Sequence, residues 1–176
     1  MLKSQIERVE SGLQRVKAHL PELPIDEILL NRLIVILGRH ISSTYDRLLR
    51  PHGLTEADFR VLAALFSQVG GSASPGDLCA SIAHSPANMT RISDALVERG
   101  LITRVMSEQD RRRMVLQITP KGTALLHEFL PITSGLARAA CSCLSREEMR
   151  HVTVQLKRMA GALDAAGAES EAGDES

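Results

Sequence analysis

Apolar residues open the chain in a regular rhythm. Leu2, Ile6, Val9, Leu13, Val16 and Leu20 follow one another at alternating intervals of four and three. That spacing predicts a helix with one narrow apolar stripe, over residues 1–20. Pro21 and Pro24 end it. Asp26 opens a second long segment, ILLNRLIVILGRHISSTYDRLL, which Pro51-His52-Gly53 stops. It is apolar on more than one face, as in a central helix or one at an oligomer interface. Thr55 can cap a third helix, with Phe59, Leu62, Leu65 and Phe66 expected inward. The glycines and Pro75 of VGGSASPGD, residues 69–77, predict a loop.

Next come a short helix, GDLCASIA, and a tight turn at His84. Ser85 is a good N-cap, and Pro86 suits the first helical position after it. That helix runs to about Arg99 and stops at Gly100. From Leu101 the period changes to two: LITRVM, a charged turn and MVLQI predict a β-hairpin, with Met114, Leu116 and Ile118 on one face and Val115 and Gln117 on the other. Thr119-Pro120 restarts helix, and Pro131 is expected to kink or break it. Ser145 and Glu148 form a capping box before Met149, Val152, Leu156, Met159 and Leu163.

Helix, tight turn, helix and hairpin in succession make a winged helix. The fold expected is mainly α with a small β-hairpin wing: an extra helix at 1–20, a dimerisation helix at 25–54, a winged helix-turn-helix lobe at 55–122, and C-terminal dimerisation helices at 123–163. The terminal helices carry apolar stripes that one copy cannot cover, and a second copy is the simplest partner.

Composition and charge sharpen this picture. Aromatic residues make up 2% of the chain, with no Trp and one Tyr, so a core of Leu, Ile, Val, Ala and Met suits helices better than a sandwich. The charged N-terminus is no signal peptide, and no run approaches a membrane span. Cys79, Cys141 and Cys143 form no CxxC pair, which fits free thiols in a reducing, cytoplasmic setting. Formal net charge is zero, yet residues 164–176 hold five acidic and no basic residues. This small, polar stretch reads as a disordered acidic tail beside a mildly basic body.

The basic residues concentrate where the wing is expected. Residues 85–121 hold seven basic and four acidic side chains, three of the former at Arg111, Arg112 and Arg113. On the helix SPANMTRISDALVERG, Met89, Ile92 and Leu96 bury one stripe and leave Ala87, Asn88, Thr90, Arg91 and Asp94 outward. Small polar residues near the start of such a helix can approach base edges in a major groove. Arg91 can take a guanine edge or a phosphate, and Ser85 or Thr90 a phosphate. An arginine at a hairpin tip can enter a minor groove, and Asp110 can hold Arg112 extended by a charge-assisted bond. A merely solvated turn explains one arginine well and three poorly.

The stretch DLCASIAHSPANMTRISDALVERGLITRVMSEQDRRRMVLQITPKG resembles the core of the MarR family of bacterial transcription regulators. The resemblance rests on Arg99-Gly100-Leu101-Ile102 after the second helix, on Asp110-Arg111-Arg112 in the wing, and on Ile118-Thr119-Pro120-Lys121-Gly122 opening the next helix. It implies a homodimer, palindromic double-stranded DNA, and a small aromatic or phenolic effector. It also implies that Asp110 and Arg112 are the wing pair and that Ser85, Asn88, Thr90 and Arg91 lie on the reading helix. Family pockets lie between the dimer helices and the DNA-binding lobe, where Arg39, His40, Tyr45 and Arg60 are the candidate effector residues. An arginine there suits a carboxylate, while Arg60 has Asp46 and Asp58 as alternative partners. The first helix is absent from the minimal family fold. It resembles that of urate-binding long members, whose tryptophan and acidic residue this chain lacks, Arg60 standing before Val61-Leu62.

The function expected is a sequence-specific DNA-binding regulator, a repressor released from its operator by a small aromatic acid, without cofactor or metal. The alternatives are a thiol-based redox sensor, although Cys141 and Cys143, two apart on a helix, face different directions and do not pair easily, and a helical interaction module without DNA binding. No nucleophile–base or metal constellation points to an enzyme.

Overall fold

The computed structural model describes residues 2–82, 85–106 and 113–174, with side chains to residue 167. The chain forms two compact units, residues 1–126 and 127–176. The first contains α1 (Leu2–His19), α2 (Ile25–Leu49), α3 (Glu56–Ser67), β1 (Ser72–Ala73), α4 (Pro75–Ile82), α5 (Pro86–Glu98), β2 (Ile102–Met106), β3 (Met114–Ile118) and the first turns of α6 (Pro120–Ala140). The rest of α6 and α7 (Arg146–Asp174) make up the second.

Local chemistry builds the α2–α3 corner. After Leu49 a 3-10 turn spans Arg50–His52, and Gly53 takes the left-handed conformation at φ 68°, which a side chain would strain. Thr55 then caps α3. Its hydroxyl oxygen accepts the Asp58 N–H at 3.2 Å, and the Asp58 carboxylate accepts the Thr55 N–H at 2.8 Å. Asp46 Oδ1 satisfies a further free donor, the Glu56 N–H, at 2.7 Å.

The core of the first unit gathers the apolar stripes of α3, α4 and α5 around the end of α2. Leu49, Val61, Leu62, Leu65, Leu78, Ile82, Met89, Ile92 and Leu96 are buried together with Leu101, Ile102 and Leu116 of the hairpin region. Each buried Leu or Ile contributes about 1.5–3 kcal/mol relative to exposure. Phe66, expected inward, is exposed, and Val61 takes the buried place beside Leu62. Phe59 is half-buried. Val61 and Leu65, four residues apart, share the buried azimuth, and Phe66 stands one residue from the end of α3.

The sheet has three antiparallel strands in the order β1-β3-β2. β2 and β3 pair from Ile102↔Ile118 to Met106↔Met114, the hairpin that the two-residue period predicts. β1 lies in the stretch whose glycines predict a loop. It pairs Ser72 with Gln117 and Ala73 with Leu116, and two residues are too few for a period to show.

α1 lies along α2 without burying a single residue. Leu2, Ile6, Val9 and Leu13 of its stripe are half-buried, while Val16 and Leu20 are exposed. On α2, Leu30 and Val35 are each 46% exposed.

In the second unit α6 continues through Pro131, so of the kink or break expected there the break does not occur. Pro131 donates no backbone bond; one turn on, the Thr133 hydroxyl donates to the Phe129 carbonyl at 3.0 Å, and both residues are buried. Ser145 and Glu148 form the expected capping box at the start of α7, at 2.8 and 3.2 Å. α7 then runs to Asp174, as helix through most of the stretch expected to be a disordered tail. Ala and Glu, common there, are good helix formers, so low hydrophobicity does not dictate irregular backbone. Among the described residues no helix is long and apolar enough to cross a membrane.

Candidate nucleic-acid interface

Met89, Ile92, Ser93 and Leu96 of α5 are buried, which fixes the opposite face outward. Ser85 is the N-cap: its hydroxyl oxygen accepts the Asn88 N–H at 3.4 Å, so its proton remains free to donate outward. Ala87, Thr90 and Arg91 are exposed and Asn88 is half-buried. Arg91 donates to Asn88 Oδ1 at 3.0 Å, an i,i+3 contact that holds the guanidinium along the helix face. The Thr90 hydroxyl donates to the Pro86 carbonyl at 3.0 Å and must turn to reach an outside acceptor. Free N–H groups and the helix dipole make this end favourable to anions.

The exit from α5 is knotted to the start of α6. Gly100 is left-handed at φ 65°. The Thr119 hydroxyl donates to the Gly100 carbonyl at 2.8 Å and accepts the Gly122 N–H at 3.1 Å. Lys121 Nζ donates to the Arg99 carbonyl at 2.8 Å, a cation on an orphan acceptor at the helix C-terminus. Arg99 itself donates to the carbonyls of Gly53, at 2.5 Å, and His52, at 3.0 Å, and so ties the end of α5 to the α2–α3 corner. A Cβ on Gly122 would stand 2.1 Å from the Leu101 carbonyl oxygen. These motif residues build the scaffold, whereas in the sequence they stand out only as a family pattern.

Arg104, on β2, forms an ion pair with Asp94 on the outer face of α5. The pair links β2 to α5 and leaves Asp94 screened by a cation. Of the wing residues, Arg113 is exposed beside the first residue of β3. Asp110, Arg111 and Arg112 lie outside the described residues, as does His84.

The comparisons with known proteins agree with this geometry. A profile described as MarR family matches residues 52–113. The transcriptional repressor MprA of Escherichia coli is 31% identical over 163 residues, which cover 93% of each chain. The chain belongs to the MarR family. As such it is a DNA-binding transcription regulator. Among solved structures, AbsC of Streptomyces coelicolor, a MarR family regulator, aligns with a TM-score of 0.74 at 22% identity, covering 81% of this chain and 97% of that one. BpsR of Bordetella bronchiseptica aligns with a TM-score of 0.66 at 25% identity, covering 74% of this chain and 91% of that one.

In this MarR-family chain the four candidate effector residues are spread. Arg39 and His40 are exposed on α2, and Tyr45, five residues beyond His40, is half-buried on a different azimuth of the same helix. Arg60 stands on α3 and pairs with Glu56 at 3.6 Å. The alternative partners, Asp46 and Asp58, each accept a backbone N–H at the start of α3. Cys79 is half-buried, while Cys141 and Cys143 are exposed in the turn after α6 and not on a helix as expected.

Proposed function

We propose that this chain is a homodimeric repressor that binds a palindromic operator and leaves it when a small aromatic acid binds. The observation that carries the reading is the outer face of α5. Its start presents Ser85, Ala87, Asn88, Thr90 and Arg91 to solvent, on a helix anchored by four buried residues and tied to the wing through Asp94 and Arg104. In this reading α5 enters the major groove and Arg112, braced by Asp110, enters the adjacent minor groove, with Arg111 and Arg113 on phosphates. Exposed apolar side chains on α1, α2 and α7, with Leu163 at 69%, support a second copy as partner. The related repressor MprA supports repression. DNA binding by BpsR is regulated by 6-hydroxynicotinic acid, which supports an aromatic acid as effector. In this chain Arg39 or Arg60 would hold the carboxylate, near His40 and Tyr45.

Gel shifts over a salt series test the reading, with a duplex selected by the wild-type protein from a random pool. Arg112→Ala should lower operator affinity by about 1–3 kcal/mol. Asp110→Ala removes a negative charge, yet should weaken operator binding while nonspecific binding is kept or raised. Tighter operator binding by that variant would reduce the arginines to a charge cloud. Arg39→Ala and Arg60→Ala should bind DNA without ligand as wild type does. If both still release DNA at the wild-type dose of aromatic acid, neither arginine holds the effector.

A further inference from the structure

A cleft of about 360 Å³ opens between the end of α2, the start of α3 and the outer face of α5. Asp46, Arg50, Thr55, Glu56 and Arg91 are among the residues that line it. The two carboxylates on its wall are already engaged. Asp46 accepts the Glu56 N–H at 2.7 Å, and Glu56 pairs with Arg60 at 3.6 Å. Among the described residues, Arg91 bonds only to the neutral side chain of Asn88. Arg50 is exposed, and its guanidinium has no hydrogen bond or ion pair with any described residue. Two guanidiniums therefore line one cleft without a described carboxylate partner of their own. An oxyanion seated between them would be held by charge-assisted bonds that neither makes now.

We propose that Arg50 and Arg91 form an oxyanion seat that a DNA backbone phosphate fills when the operator is bound. The inference rests on the DNA-binding reading of α5. A helix lying in the major groove has the phosphates of the groove edge beside it. A cleft shared by Arg91 of that helix and the end of α2 is placed to receive one of them. Arg50 is thus a DNA contact outside the helix-turn-helix and the wing. The carboxylate of an aromatic acid has the same chemistry and is the other source of an oxyanion.

Arg50→Ala, Arg50→Lys and wild type are compared by fluorescence anisotropy with the wild-type-selected duplex and a scrambled one, across a salt series. Each phosphate contact adds about 0.9 to the salt slope, so Arg50→Ala should lower it by about 1.8 per dimer. The same relation gives a loss of roughly 30-fold for the dimer at 0.15 M salt and roughly 200-fold at 0.05 M. Both duplexes should lose alike, because a phosphate contact carries no sequence information. Arg50→Lys should recover most of the slope, and a wild-type melting curve for Arg50→Ala excludes misfolding as the cause. An unchanged slope overturns the phosphate assignment. If salicylate then also releases DNA at the wild-type dose, the seat itself is refuted; a much higher dose would assign it to a carboxylate. Wild type that binds no duplex would instead sink the DNA-binding reading.

Discussion

Replacing Gly122 by alanine should destabilise the protein, although the same change in most helices does the opposite. Gly122 is the third residue of α6, and its φ is not in the left-handed region. Helix propensity alone would favour alanine by about 1 kcal/mol. The new Cβ would meet the Leu101 carbonyl oxygen at 2.1 Å, its carbon at 3.1 Å and Ile118 Cγ1 at 2.9 Å. Even a close C–H···O contact needs about 3.3 Å, so one backbone must retreat by roughly 1 Å. The Leu101 carbonyl is not free to do so, because it accepts the Thr119 N–H at 3.1 Å and shares the Thr119 hydroxyl proton, at 3.1 Å, with the Gly100 carbonyl. Losing both bonds costs about 1–3 kcal/mol, and overpacking adds about 1–3 kcal/mol. After the propensity gain, a net loss of about 3 kcal/mol is expected. At 2–4 °C per kcal/mol for a chain of this size, Tm should fall by about 6–12 °C. Circular dichroism melts at one fixed protomer concentration measure this, since association shifts Tm. Gly135→Ala, also in α6 but with open space around its Cβ, is the control and should be neutral or stabilising. A Gly122→Ala protein as stable as wild type would refute the close approach.

Three further outcomes follow from the same contacts. Arg99→Ala should cost about 1–2 kcal/mol through its lost bonds to His52 and Gly53, and Arg99→Lys should not restore it, since lysine lacks the fork that reaches both carbonyls; urea titration checks this. Asp94→Arg should weaken operator binding despite the added positive charge, and the exchanged pair Asp94→Arg with Arg104→Asp should recover it in gel shifts; tighter binding by the single variant would show that the pair does not position the wing. The Glu148 carboxyl is held below its ordinary value of 4.5 by the Ser145 backbone N–H and then by the Ser145 side chain. A lowered pKa stabilises above the unfolded value and is lost as pH falls through the folded one, so helicity lost on acidification below that range should be smaller in Glu148→Gln than in wild type.

What the sequence determined by itself is what its short-range chemistry can carry. The Thr55 cap, the Ser145/Glu148 box, the Ser85-Pro86 start and the Gly53 and Gly100 stops all act within about four residues, where a side chain meets its own backbone. The hairpin was legible because a period of two is local as well. The exposed face of α5 followed from the buried stripe of Met89, Ile92 and Leu96. Tertiary structure decided everything that depends on residues far apart in the chain. Only the assembled sheet gives β1 a partner, and only the α5–α6 junction shows why Gly122 has no side chain. Asp46 reaches a backbone donor ten residues on, at Glu56, while Arg60 pairs with Glu56 one turn back. Arg99 finds its carbonyls 46 and 47 residues away, and Arg50 meets Arg91 across a cleft that no spacing in the sequence announces. Such contacts leave no periodic trace, since they are fixed by how helices stack and not by how each one repeats.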